Sequence, residues 1–302
     1  MLKSIKPWLS AMRLRTLPLS VSGIIIGASL AYYNGYFNPW VFVFAVLTTI
    51  SLQILSNLAN DYGDGVRGTD NKNRIGPERA IQSGEITPMQ MFEAIRINIL
   101  FVILFTFLLI WNAFGSGNAL YAFLFLGLGA FAVYAAMTYT IGDSPYGYRA
   151  LGDVFVFVFF GIVSVVGSYF LFTIRLDHVV VLPAISLGLL SVGVLNLNNM
   201  RDIESDAQSQ KITLAVKLGK IKSKNYHIAL IVSAILIAIL FSILYYSSPY
   251  NFIFYVAFIP LIKHLITVIN ISEPKEYDGQ LKVLALSTFL FAILLGLGQV
   301  YY

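Results

Sequence analysis

No cysteine occurs anywhere in the 302 residues, which excludes disulfides, thiol nucleophiles and cysteine-ligated metals and leaves the redox compartment open. Histidine is nearly as scarce. His178, His227 and His264 are scattered along the chain, so no zinc cluster or histidine-based triad suggests itself. Charged residues make up only 12% of the sequence, against roughly a quarter in an ordinary soluble domain. In their place 58% of the residues are hydrophobic, and the mean hydropathy is +0.77. A chain so short of charge is a multi-spanning membrane protein. Its net charge of +5 is what such a protein accumulates in cytoplasmic loops and does not point to nucleic acid.

Apolar windows long enough to cross a bilayer lie near 17–36, 40–58, 90–112, 118–140, 153–174, 178–198, 226–247, 250–271 and 281–301. They predict an all-α bundle of about nine transmembrane helices. Turn signals such as Asn38-Pro39, Asp143-Ser144-Pro145 and Ser248-Pro249 separate the runs, and none resembles a domain linker. One integral membrane domain is therefore expected over 1–302. With a cytoplasmic N-terminus, every Lys and Arg lies on or near the cytoplasmic side except Arg175 and the mid-span Lys263, as the positive-inside rule requires. Lys263, close to Pro260, is a candidate for an intramembrane role. Residues 1–16 interleave Lys3, Lys6, Arg13 and Arg15 with Ile5, Trp8, Leu9 and Met12, a pattern for a short interfacial helix without a signal-peptide cleavage site. Phe155, Phe157, Phe159 and Phe160 are expected mainly to pack or to face lipid.

The polar island from Asn57 to Gly84 interrupts this apolar text. If the preceding helix continues, Asn57, Asp61 and Asp64 fall at i, i+4 and i+7 and share one face, after which Gly63, Gly65 and Gly68 are expected to break the helix. Arg67, Lys72, Arg74 and Arg79 crowd the loop that follows. About 140 residues later Asn198, Asp202 and Asp206 recur at i, i+4 and i+8, at the end of another apolar run. The recurrence suggests two pseudo-repeated halves, about 17–140 and 153–271, with a last helix over 281–301. Hard divalent cations such as Mg²⁺ are held by one or two carboxylates plus substrate phosphates, and Arg and Lys suit phosphate oxygens. The two faces therefore read as one metal-diphosphate site.

These motifs resemble those of the UbiA superfamily of intramembrane prenyltransferases. Asn60-Asp61-Tyr62-Gly63-Asp64 matches its first Asp-rich motif, Arg79 with Ser83-Gly84 the basic element after it, and Arg201-Asp202 with Asp206 the second Asp-rich motif. Lys211-Ile212-Thr213-Leu214 and Gly219 resemble the downstream tail. The branch acting on 1,4-dihydroxy-2-naphthoate is suggested by Trp8 to Arg13 leading to Thr16-Leu17-Pro18, by Gly68-Thr69-Asp70, and by Leu151 to Phe157. The superfamily often has a third Asp eight residues after the position of Asn60; here that position is Gly68, and Asp70, the nearest carboxylate, either replaces it or serves only the loop.

The resemblance implies a Mg²⁺-dependent enzyme of the bacterial inner (cytoplasmic) membrane, its cavity open to the cytoplasm. It would join a polyprenyl diphosphate to 1,4-dihydroxy-2-naphthoate with loss of CO₂, giving demethylmenaquinone. Asp61, Asp64, Asp202 and Asp206 are then the expected metal ligands, and Arg79 and Lys211 stabilise the leaving diphosphate. Asn57, Asn60, Arg67, Lys72, Tyr139, Asn198 and Arg201 are the expected substrate-binding residues. The alternatives are another acceptor such as 4-hydroxybenzoate, or a divalent-cation transporter whose repeated Asn/Asp helices line an ion path.

Overall fold

The computed structural model describes residues 5–70 and 75–301. Among these residues nine helices are long and apolar enough to cross a membrane: α1 Lys6–Tyr33, α2 Pro39–Arg67, α3 Pro88–Phe114, α4 Ala119–Thr138, α5 Gly152–Thr173, α6 His178–Arg201, α7 Leu214–Leu244, α8 Pro249–Asn270 and α9 Pro274–Val300. The helix starts are written in the sequence. Pro39 and Pro88 occupy first-turn positions that need no N–H, while the Asn38 side chain accepts from Trp40 N at 2.9 Å and Thr87 with Gln90 forms a capping box. Thr213 caps α7 in the same way through Val216 N, at 3.3 Å. Helix α7 thus starts well before the expected 226, and Gly219, at φ 76, kinks it after its first turns.

Helices α5 to α9 enclose one core with the C-terminal half of α1, in which Ile26, Leu30, Val165, Leu187, Ile231, Leu261 and Phe291 are buried together. A second cluster joins α2 and α3 near the polar ends through Leu55, Leu58, Met91 and Ile95, and a third lies at the opposite end around Ile24, Val41, Leu109 and Phe114. Close helix contacts substitute for a hydrophobic drive that lipid does not supply. A Cβ on Gly27 of α1 would lie 2.0 Å from Ser168 Oγ and 2.6 Å from Val165 O of α5. The outer surface is apolar, with Phe107, Trp111, Phe123, Leu236, Ile243, Ile262 and Ile266 all exposed. Exposure of that kind belongs to a multi-pass membrane protein.

Helix α5 departs from ordinary winding, because Phe157–Gly167 is π-helical. Phe155, Phe159, Val163 and Gly167, spaced by four, border one internal cavity. Phe155, Phe159 and Phe160 thus line this cavity instead of facing lipid, while Phe157 packs on Gly188 of α6.

Candidate active site

Helix α2 carries the first acidic motif because it runs nine residues past the expected apolar limit at 58. Gly63 and Gly65 do not break it. A Cβ on Gly63 would come 2.5 Å from Thr140 Oγ1, and one on Gly65 would come 2.7 Å from Ile81 Cγ2, so both glycines serve close packing inside the helix. Only Gly68, at φ 75, ends it in the left-handed region, its N–H donating to Gly65 O at 3.2 Å. Asn57, Asp61 and Asp64 are buried on this extension. The second motif crosses the end of α6, where a short helix Ile203–Gln208 continues the path and Asp206 N donates to Asp202 O at 2.8 Å.

The two motifs meet at one cavity of about 800 Å³. Asn57, Asn60, Asp61, Asp64, Asp70, Arg79, Tyr139, Asn198, Arg201, Asp202, Asp206 and Lys211 line its polar end. Ile24, Leu109, Ile110, Phe125, Phe155, Phe159, Phe160 and Leu171 line the rest, so the cavity is polar at one end and apolar along its length.

An ion pair ties the first motif to the segment downstream of the second, and another lies within the second motif. Asp64 Oδ2 accepts from Lys211 Nζ at 2.8 Å, and Asp64 Oδ1 accepts from Tyr148 Oη at 2.7 Å. Having spent its proton on the carboxylate, the Tyr148 hydroxyl accepts from Thr69 Oγ1, also at 2.7 Å. The Lys211 ammonium lies 5.4 Å from the centre of the Tyr148 ring. Burial works to lower the Lys211 pKa, but the Asp64 and Asp206 carboxylates outweigh it and hold the ammonium above its ordinary value. In the second motif Arg201 grips Asp202 with two hydrogen bonds, Nε to Oδ1 at 2.9 Å and Nη2 to Oδ2 at 2.7 Å, and reaches Asn198 Oδ1 at 2.9 Å. Tyr139 sits edge-on to Tyr146 and is pushed up to about 12, by burial first and then by the Asp64, Asp153 and Asp206 carboxylates against the opposing pull of Lys211. Its phenol stays protonated at neutral pH.

The donor set fits a hard divalent cation. Asp61 Oδ1 and Asn60 Oδ1 are buried oxygens with no hydrogen-bond partner among the described residues, while Asp61 Oδ2 accepts only a long bond from Ala80 N at 3.4 Å. A buried carboxylate oxygen in that condition wants a cation. No group of three or more acidic, His or Cys ligands is assembled among the described residues; hard divalent cations are commonly held by one or two carboxylates plus substrate phosphates.

Of the residues singled out in the sequence, some border the cavity and some do not. Arg67 is exposed and lies outside the cavity lining; it donates to Gly142 O and sits over the Tyr148 ring, tying α2 to the loop after α4. Lys72 lies outside the described residues. Asn57 Nδ2 donates to Met12 O at 2.9 Å and anchors the N-terminal turns of α1 over the cavity. Asp70 is buried, 3.8 Å from Arg79 Nε. Asp153 is buried and hydrogen-bonds Tyr226, outside the cavity lining. Lys263 faces outward and is exposed.

Two arrangements were not expected. His227 and His264 are not scattered in space, since their Nε2 atoms lie 2.9 Å apart, and His264 Nδ1 lies 2.8 Å from Gln280 Oε1. Tyr148, the second partner of Asp64, sits between α4 and α5 with no periodicity to mark it.

Residues 20–291 match the profile of the UbiA prenyltransferase family. The chain is 42% identical over 298 residues to a 1,4-dihydroxy-2-naphthoate octaprenyltransferase of Haemophilus influenzae, covering 98% of this chain and 96% of the relative. It is 40% identical to the enzyme of the same name from Escherichia coli, covering 96% and 94%. A UbiA homolog from Archaeoglobus fulgidus solved with GPP and Mg²⁺ shares the fold, with a TM-score of 0.66 at 12% identity over 98% of this chain and 100% of that one.

Proposed function

Because the chain belongs to the UbiA prenyltransferase family, we propose that it transfers a polyprenyl group from a polyprenyl diphosphate to 1,4-dihydroxy-2-naphthoate, with loss of CO₂, in a Mg²⁺-dependent step of menaquinone synthesis. The observation that carries this reading is the polarity of the cavity: two Asn/Asp motifs with Lys211, Arg79 and Arg201 at one end and an apolar, aromatic wall beyond. The names of the two full-length relatives supply the acceptor.

Asp61, Asp64, Asp202 and Asp206 would hold the metal, with Asn57 and Asn198 as supporting or orienting groups. Mg²⁺, when bound, neutralises the diphosphate and stabilises its leaving charge. Lys211 and Arg79 donate to the diphosphate oxygens as the allylic C–O bond breaks and negative charge gathers there. Tyr139, held protonated, donates a hydrogen bond to the same group. Phe155, Phe159 and Phe160 present ring faces to the allylic cation and exclude water that would capture it. The ring carbon bearing the carboxylate forms the new C–C bond with a π pair of the naphthalene. Its bond to the carboxylate then breaks, the freed pair restores aromaticity, and CO₂ departs. The product is the reduced form of demethylmenaquinone, and the balance requires no proton to move.

The distribution of Lys and Arg supports a bacterial inner-membrane protein with its N-terminus and site on the cytoplasmic side. The matching positions of the motifs, at the ends of α2 and α6, support the reading of one domain built from two related halves. Incubating the purified protein with Mg²⁺, a prenyl diphosphate and a panel of aromatic acids tests the proposal. 1,4-Dihydroxy-2-naphthoate is expected to be the preferred acceptor; prenylation of 4-hydroxybenzoate in its place would move the chain to another branch of the family.

A further inference from the structure

The Arg201 guanidinium is buried, 1% exposed, yet it is shared between two carboxylates. Besides its double bond to Asp202 it donates from Nη1 to Asp278 Oδ1 at 2.6 Å. Asp278 stands in the first turn of α9, where the helix dipole favours a negative charge, and it is partly open to solvent. The cavity-lining residues include Arg201 and Asp202 but not Asp278, which lies behind them.

This geometry poses a problem for any cation approaching Asp202, because both of its oxygens are engaged by Arg201. To turn to a cation the carboxylate must give up those bonds. A buried guanidinium left with one neutral acceptor, Asn198 Oδ1, would be an uncompensated charge, which is strongly disfavoured. A second carboxylate already in contact removes that obstacle. We propose that Asp278 is a positioning residue that retains Arg201 when Asp202 turns to the metal and diphosphate, so that Asp202 exchanges one cation for another while the guanidinium stays compensated. The proposal rests on the metal-diphosphate reading of the cavity. It assigns to the start of α9 a part in the site that neither acidic motif contains.

The test uses the full-length protein in detergent or lipid nanodiscs, without turnover. The thermal unfolding midpoint is followed as Mg²⁺ is titrated at fixed inorganic diphosphate, for wild type, Asp278→Asn and Asp278→Glu. Loss of a charge-assisted partner is expected to raise the Mg²⁺ concentration for half the shift by at least about fivefold in Asp278→Asn. Asp278→Glu, which keeps the carboxylate, should stay within about twofold of wild type. An Asp278→Asn protein that is less stable without ligand but has the wild-type Mg²⁺ half-point would assign Asp278 to a structural role and overturn the proposal. If Asp278→Asn does not fold, a structure of the wild type with Mg²⁺ and diphosphate decides: Arg201 held by Asp278 and parted from Asp202 is the expected result, and Arg201 still doubly bonded to Asp202 overturns it. A wild type showing no Mg²⁺-diphosphate shift at all would instead remove the metal-diphosphate reading on which the proposal stands.

Discussion

Asp64 is held from both sides, by Lys211 and by Tyr148, and the two contacts have different consequences for catalysis. Tyr148→Phe keeps the ring under the ammonium but removes the hydroxyl, and a hydrogen bond to a charged group is worth about 1.5–3 kcal/mol. Turnover is expected to fall about tenfold or more in steady-state assays, with little change in the melting midpoint; unchanged turnover would remove Tyr148 from the site. Arg79 lines the polar end and contacts Asp70. If it stabilises the departing diphosphate, Arg79→Ala should cost on the order of 100-fold in kcat while the protein stays folded. A loop ion pair would be worth far less, so near-normal activity would assign Arg79 to that lesser role. Asp61→Asn and Asp202→Asn should each nearly abolish turnover, and the double variant should be hardly worse, because members of one catalytic unit are not additive. Substantial activity in either single variant would contradict the shared site.

The helices were largely legible in the sequence, since span length and i, i+4 periodicity are local properties. The acidic faces of α2 and α6 were visible on the same grounds. Gly63 and Gly65 were misread as breakers because composition does not reveal a neighbour at 2.5 Å. Their role gives a check at this scale: Gly63→Val should overpack the α2–Thr140 contact and destabilise by about 1–3 kcal/mol, read as a lowered melting midpoint in nanodiscs. A midpoint equal to wild type would mean that the helix end is free to shift. The rotation of each helix about its axis was the hidden variable elsewhere. It turns Lys263 outward and His264 inward to meet His227, residues 37 positions apart whose pairing no local pattern encodes. The placing of Phe155, Phe159 and Phe160 on the cavity side of α5 is equally silent in a run that is hydrophobic all round.

The whole molecule brings together two distant acidic motifs, their counter-ions and an apolar cavity inside a membrane bundle. Its activity should require added Mg²⁺ and vanish with a chelator, which follows from gathering several carboxylates in a low-dielectric pocket. Both motifs lie at helix ends on one side of the bundle, where a transporter would be expected to place its ion site near the bilayer midplane. The most direct measurement follows the acceptor's own carboxylate: 1,4-dihydroxy-2-naphthoate labelled at that carbon, incubated with purified protein, Mg²⁺ and a prenyl diphosphate. The account predicts labelled CO₂ released in amounts equal to the prenylated product, and neither formed in excess chelator. Product that retains the label, or full turnover in the chelator, would contradict it.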